Sequence, residues 1–363
     1  MKNKYYCLDR ILEKNAQYNM IFGERSNGKT YAALKYCLDQ YIRFGSQFAI
    51  VRREREDFIG KRGSTMFTNL VANNEIDKLT QGLWNDVYYY SGRWYLCCYD
   101  GEGKRYTDEQ PFAYGFAISS GEHDKSTSYP GIKNIVFDEF LSRKGYLPDE
   151  FVQFMNTLST IIRQRDDVKI FMLGNTVNQY CPYFNEMGLT HIKNMKPGDI
   201  DIYRYGDSKL KVAVEYTRST PGGKKSDTYF AFDNPKLSMI TGGTWEIDVY
   251  PHCPEKFKPK DIIFTYFIIF DRDVLQCEVV QTETNVFTFV HKKTTPLKDP
   301  DRDIIFSTDF DPRPNHYRKI TRPTDKLTEK IAYFYKRDKI FYADNETGEI
   351  MRNYLMWCGK AVK

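Results

Sequence analysis

The sequence has no apolar stretch long enough to cross a membrane as a helix. Its longest, Ile262–Phe270, is broken by Thr265 and closed by Asp261 and Asp271, well short of the roughly 20 residues that a spanning helix needs. Met1-Lys-Asn-Lys-Tyr-Tyr-Cys7 leads into a charged segment, so neither a signal peptide nor a membrane partner is expected. The eight cysteines, at 7, 37, 97, 98, 181, 253, 277 and 358, never fall in CxxC spacing, and the five histidines complete no zinc pattern with them. Reduced, mostly buried thiols in a cytoplasmic protein are expected. Neither sign of charge dominates. Lys and Arg number 53 against 48 Asp and Glu, a net +5 that suits a nucleic-acid partner without requiring one. Internal repeats and low-complexity tracts are lacking as well.

What is present is enough to build a core. Of 363 residues, 41% are hydrophobic and 28% charged, which excludes wholesale disorder and points to two domains. The 28 Tyr and 25 Phe read as core and edge-strand filling in preference to base-stacking surfaces.

Strand-length apolar runs at Asn19–Phe22, Gln47–Val51, Ala113–Ser119, Asn134–Phe137 and Val168–Leu173 alternate with helical stretches at Thr30–Phe44 and Asp149–Arg163. In the second helix Phe151, Phe154, Met155, Leu158, Ile161 and Ile162 form one stripe. Such alternation predicts an α/β fold with a mostly parallel sheet. An antiparallel hairpin turning at Ser91-Gly92 interrupts it at about residues 87–99. Lys196-Pro-Gly-Asp reads as a connector and the Lys224-Lys225 stretch as an exposed loop. Beyond about residue 255 the pattern is one of hairpins: Ile262–Phe270 with Val274–Val280, then Val286–His291, then Ile340–Ala343 with Glu349–Met351 around Asp344-Asn-Glu-Thr-Gly. The expected domains are 1–200 (α/β), 201–254 (a linking region) and 255–363 (a smaller α+β domain).

Gly23-Glu-Arg-Ser-Asn27-Gly28-Lys29-Thr30 fits GxxxxGK[ST], the P-loop or Walker A motif, between a strand and a helix. Glycines let backbone N–H groups curl around a β-phosphate, and the helix N-terminus adds positive potential. Gly23, Asn27, Gly28, Lys29 and Thr30 are the candidate nucleotide contacts, with Lys29 on the β/γ oxygens and Thr30 on Mg²⁺. Lys133-Asn-Ile-Val-Phe-Asp138-Glu139 is an apolar strand ending in two acids, a Walker B pattern. Asp138 is the candidate second Mg²⁺ residue, and Glu139 the group that polarises an attacking water. The adjacent pair favours an ATP hydrolase over a small-molecule kinase. Asn175, closing the strand Val168–Leu173 at Gly174, is either a γ-phosphate sensor or part of a plain turn.

Three groups of cations carry open alternatives. Arg163 and Arg165, past the stripe helix, are an arginine finger for a neighbour's ATP or cations complementing the helix dipole. Lys125 is a second trans-acting cation or simply solvated. Arg52, Arg53, Arg55, Lys61 and Arg62 track DNA phosphates or form a solvated mixed-charge loop. Of these, Arg55, Lys61 and Arg62 are the better DNA candidates, since Arg52 and Arg53 sit at the strand end where they can serve the ATP site instead.

In this order, GERSNGKT, the Val-Arg52-Arg53 strand end, Lys125 with Ser-Tyr-Pro, Ile-Val-Phe-Asp138-Glu139-Phe, Arg163-Gln-Arg165 and Leu-Gly-Asn175 resemble the DNA-packaging (encapsidation) ATPases of small tailed podophages, a terminase-like branch of P-loop translocases. The resemblance covers about residues 8–190. It implies a P-loop NTPase fold of the ASCE type using ATP and Mg²⁺, and a homo-oligomeric ring, pentameric by resemblance, that pumps double-stranded DNA into a preformed capsid. The implied partners are double-stranded DNA, copies of the chain and the portal or connector, with a structural RNA left open as a further one. The implied location is the cytoplasm of an infected bacterium, transiently at the procapsid vertex. Position by position, Lys29 and Thr30 match the P-loop, Asp138 and Glu139 the hydrolytic pair, Asn175 the coupling position, and Arg163 the finger. The hairpin at 87–99 reads as an insertion. The C-terminal domain is expected to be ribonuclease H-like, used for docking or DNA contact without cleavage; Asp271, Asp273 and Asp309 do not assemble into a metal triad by spacing. Two other readings stand beside this one: a nucleotide or small-molecule kinase on the same loop, and a nucleotide-dependent assembly protein with negligible turnover.

Overall fold

The computed structural model describes residues 6–120, 127–142, 145–147, 149–218, 245, 250–253 and 255–359. The chain divides into two compact units, Met1–Glu246 and Ile247–Lys363.

In the first unit the elements are α1 (Asp9–Leu12), β1 (Tyr18–Gly23), α2 (Lys29–Phe44), β2 (Gln47–Arg52), α3 (Lys61–Ser64), α4 (Thr68–Ala72) and α5 (Glu75–Thr80). Then come β3 (Asp86–Tyr90), β4 (Arg93–Tyr99), β5 (Arg105–Thr107), β6 (Ala113–Ala117), β7 (Ile132–Asp138), α6 (Glu150–Ile162), β8 (Lys169–Asn175), α7 (Pro182–Glu186), β9 (Ile200–Arg204) and β10 (Lys211–Tyr216). The sheet runs β3-β4-β6-β2-β7-β8-β1-β10-β9, with β5 on β4. From β6 to β10 every neighbouring pair is parallel. The mostly parallel α/β sheet expected from the strand–helix alternation is what forms.

Both faces of these strands are covered, which is why they read as nearly continuous apolar runs. Met20, Phe22, Ala49, Val51, Ile135 and Phe137 point to one side, where α6 lays down Phe154, Leu158 and Ile161. Their neighbours Ile21, Phe48, Ile50 and Val136 point to the other, against Ala33, Leu34, Cys37 and Leu38 of α2. The β3–β4 hairpin turns at Ser91 (φ 46°) and Gly92 (φ 75°), the two positive-φ positions that a two-residue hairpin turn demands.

Residues 201–254 are not simply a connector. β9 and β10 extend the first sheet, β10 pairing parallel with β1 and β9 antiparallel with β10. The short run Val212-Ala-Val carries no alternation, because both of its faces are buried, and so it did not stand out as a strand.

The second unit holds β11 (Ile262–Phe270), β12 (Asp273–Gln281), β13 (Val286–Lys292), β14 (Ile305–Ser307), β15 (His316–Tyr317), α8 (Lys326–Lys336), β16 (Ile340–Tyr342) and α9 (Asn345–Gly359). Its sheet order is β15-β14-β11-β12-β13-β16. β11, β12 and β13 form an antiparallel meander, while β14 and β16 add in parallel at either side. The hairpin expected around Asp344–Gly348 is instead the start of a helix. Asp344 Oδ1 accepts from the Thr347 N–H at 2.7 Å, an N-cap that commits the chain to α9, and Ile350, Met351, Tyr354 and Cys358 bury its apolar face.

Candidate functional site

The turn from β1 into α2 bends through Gly23 (φ 151°), Ser26 (φ 62°) and Gly28 (φ 94°). A Cβ on Gly23 would lie 2.1 Å from Thr217 Oγ1, so only glycine allows β10 to approach this closely. Thr217 in turn accepts from Asn27 Nδ2 at 2.9 Å, which props the loop from outside the motif. Lys29 folds back into its own loop. Its Nζ donates to Glu24 O at 2.6 Å, Asn27 Oδ1 at 3.1 Å and Asn175 Oδ1 at 3.3 Å. Burial pushes its ammonium down to about 8, against the opposing pull of Asp138 and Glu24.

β7 delivers the acids. Thr30 Oγ1 donates to Asp138 Oδ1 at 3.0 Å, and Arg52 Nη2 donates to Asp138 Oδ2 at 2.6 Å. The same guanidinium reaches Glu139 Oε2 at 3.2 Å. Asp138 is buried, whereas the Glu139 side chain is 61% exposed. Glu139 takes a left-handed backbone (φ 63°), which turns its carboxylate out of the strand line. A non-glycine residue in that region is held there by its surroundings. Here Phe140 N–H donates to Leu173 O, and Arg53 donates to the Glu139 and Phe140 carbonyls.

β8 lies between β1 and β7, with Asn175 in register with Gly23. This strand order brings Asn175 to Lys29 and so to the β1–α2 loop. Gly23, Asn27, Gly28, Lys29, Thr30, Asp138, Glu139 and Asn175 therefore converge at the C-terminal ends of the central strands β1, β8 and β7. Arg52 joins them through Asp138 and Glu139.

The remaining candidates lie elsewhere. Arg163 follows the last turn of α6, and its Nη2 donates to Thr127 O at 3.1 Å. The 13 residues of α6, at about 1.5 Å each, separate it from the acids of its own chain. Arg165 is committed to backbone: its guanidinium donates to the carbonyls of Tyr129, Pro130, Ile132, Ile161 and Ile162 at 2.8–3.2 Å. Arg55, Lys61 and Arg62 are exposed, Arg62 sitting 3.8 Å from Asp57. Lys125 lies outside the described residues, as does the Lys224-Lys225 loop.

Glu150 had no signal in the sequence. It is an ordinary acid in the first turn of a helix, yet it is buried and receives Arg53, the Leu147 N–H and the Tyr183 hydroxyl. Thr217 was missed for a similar reason, being 190 residues from the Asn27 it supports.

The model of the Podovirus DNA encapsidation protein (Gp16) family matches residues 1–197, more than half of the chain. The chain belongs to this family. Among curated encapsidation relatives, the DNA packaging protein of Bacillus phage B103 is 30% identical over 184 residues, covering 50% of this chain and 49% of that protein. The DNA packaging protein of Bacillus phage phi29 is 27% identical over 187 residues, 50% of each. The chain spans about half the length of the curated relatives it matches. Over the whole chain, the fold is similar to that in a structure of a phi29 viral genome packaging motor assembly, with TM-score 0.56, 18% identity and 98% of each chain covered. A Phi-28 DNA packaging motor structure matches with TM-score 0.55, 19% identity and 100% of each chain. At these identities the likeness is one of fold.

Proposed function

We propose that this chain is the ATPase of a viral DNA packaging motor, a ring of identical subunits at the portal that drives double-stranded DNA into a preformed capsid in the infected bacterial cytoplasm. The observation that carries this reading is the Thr30–Asp138 contact. It joins Walker A to Walker B with Glu139 immediately beside them, in a chain of the encapsidation family.

ATP and Mg²⁺ fit the residues present. A hydroxyl and a carboxylate oxygen converge at 3.0 Å, the hard oxygen donors that Mg²⁺ prefers, and the glycine turn leaves backbone N–H groups to face phosphate. Thr30 and Asp138 are the residues that would hold the ion, which would neutralise charge on the β/γ oxygens. Lys29, freed from Glu24 O and Asn27, supplies the positive charge on the same oxygens. Glu139 orients and polarises the water that attacks the γ-phosphorus, taking its proton as the bond to the leaving oxygen breaks. Asn175, on Lys29, is placed to report whether the γ-phosphate is there. Arg163, remote from its own site, serves a neighbour's. A pentameric ring, a portal and a structural RNA are the further partners of this reading.

In the C-terminal unit, the five strands β13-β12-β11-β14-β15, the first three antiparallel and the last two parallel, with β16 added in parallel beside β13, support a ribonuclease H-like domain. Asp273 is paired with Lys292 at 2.9 Å, and among the described residues no three His, Cys, Asp or Glu are grouped to hold a metal. Docking or DNA contact is the role we propose for this unit.

The test is DNA-stimulated ATPase of wild type and Glu139→Gln. ATP turnover stimulated by DNA in wild type, with turnover in the variant down by roughly 10²-fold and ATP still bound, is expected. Turnover indifferent to DNA would point to a kinase, and negligible turnover to an assembly protein.

A further inference from the structure

The β3–β4–β5 hairpin system stands at the sheet's far edge and has no part in the nucleotide site. Side chains alternate across antiparallel strands, and the register pairs Tyr90 with Arg93, Tyr88 with Tyr95, and Tyr99 with Arg105. One face therefore carries Tyr88, Tyr90, Arg93, Tyr95, Tyr99 and Arg105. The other carries Val87, Tyr89, Trp94 and Leu96, which pack into the core. The buried face explains why the hairpin folds; it leaves the tyrosine face unaccounted for.

That face is open. Tyr90 is 63% exposed and Tyr99 50%. Tyr88 and Tyr90 lie nearly parallel, 15° apart with ring centroids at 6.5 Å, and Tyr95 leans on Tyr88 at 6.3 Å. The Arg105 guanidinium stacks on Tyr88, 3.5 Å from the ring centroid, and presents its own outer plane. No ion pair within 4 Å engages Arg93 or Arg105 among the described residues, and Asp86 is the single acid on this face. Cross-strand contact accounts for the Tyr88–Tyr95 pair but not for two open rings beside two cations that have no ion-pair partner among the described residues.

We propose that this face binds single-stranded nucleic acid, with unpaired bases stacked on Tyr90, Tyr99 and the Tyr88–Arg105 pair, and phosphates met by Arg93 and Arg105. Open rings with adjacent guanidinium groups are what base stacking and backbone tracking need, and stacking tolerates any base and either sugar. A duplex hides its base faces and cannot use the rings. The surplus of cations favours a polyanion over a protein surface as occupant.

The experiment uses the full chain and labelled 20-nucleotide oligo-dT, oligo-rU and a 20-base-pair duplex in fluorescence anisotropy. Wild type is expected to bind both single strands. Tyr90→Ala/Tyr99→Ala should weaken them by about tenfold or more, on the scale of removing a base stack, while Tyr90→Phe/Tyr99→Phe retains binding. Duplex affinity and basal ATPase should be unchanged in both. Arg105→Gln should weaken single-strand binding and flatten its salt dependence by a slope of about 0.7. Two results would overturn the proposal: single-strand affinity of the alanine variant within twofold of wild type, or loss of oligomer in sedimentation with oligonucleotide binding intact, which would make the face a subunit contact. Matching circular dichroism and melting temperature separate these outcomes from misfolding.

Discussion

Arg53 grips Glu150 with two hydrogen bonds, Nε to Oε2 at 2.7 Å and Nη2 to Oε1 at 2.8 Å. The pair ties the end of β2 to the start of α6. Through the Glu139 and Phe140 carbonyls it also fixes the turn that carries Glu139, the acid proposed to act in hydrolysis. The Glu150 carboxylate is fully buried, and the Leu147 N–H and Tyr183 hydroxyl complete its shell.

Breaking that pair from either side strands a buried charge, which costs about 3–5 kcal/mol. Glu150→Gln and Arg53→Met are each expected to lower the unfolding free energy by that order, with a correspondingly lower urea midpoint. The double variant should cost clearly less than the two summed, because neither charge is then left alone. Equilibrium unfolding of all four proteins checks this; simple additivity would mean that the two groups are energetically independent.

Lys29 makes nucleotide binding depend on pH. With its ammonium near 8 in the free protein, it is increasingly neutral as pH rises from 7.5 to 9. Phosphate oxygens favour its charged form, so ATP affinity should fall over that range, and binding near pH 8 should take up protons. Calorimetry in buffers of different ionisation enthalpy reads that uptake directly. Lys29→Ala should abolish both binding and uptake. Because the unfolded lysine holds its proton to about 10.4, the unfolded chain binds more protons than the folded one between about 8 and 10.4. Lys29 therefore contributes a rise in stability with pH in that window.

Arg163 and Arg165 should separate cleanly. Arg165→Ala removes five hydrogen bonds to backbone carbonyls and is expected to lower the melting temperature. Arg163→Ala should leave stability and monomer ATP affinity near wild type but reduce the ATPase of the assembled state. Mixing it with Glu139→Gln should restore part of the activity, since some interfaces again hold both groups. Intact assembly without rescue would make Arg163 structural.

Neutralising Arg55, Lys61 and Arg62 together should weaken duplex DNA binding about equally for all sequences. It should also flatten the salt dependence by a slope of about 0.9 for each phosphate that the variant no longer neutralises. Basal ATPase should change little while DNA stimulation falls. An unchanged slope would put the DNA track on another surface.

The make-up of the candidate site was legible because it is local. GERSNGKT bends by its own glycines, Ile-Val-Phe-Asp138-Glu139 declares a buried strand and its polar end, and Ser91-Gly92 and Asp271-Arg272 supply the positive φ that their hairpins need. These choices are made within a few residues, where backbone sterics and burial period act directly. Partnerships across the chain were not legible. Arg53 meets Glu150 97 residues away, Asn27 meets Thr217 at 190, and β10 finds β1 from a stretch that read as a connector. Arg165, indistinguishable from Arg163 by position, is claimed by carbonyls that reach it only once the 129–132 segment is laid beside α6. A cation or a short apolar run carries no local mark of its partner. Only closure of the sheet, which puts β8 between the two Walker strands and buries both faces, decides which groups are left to meet.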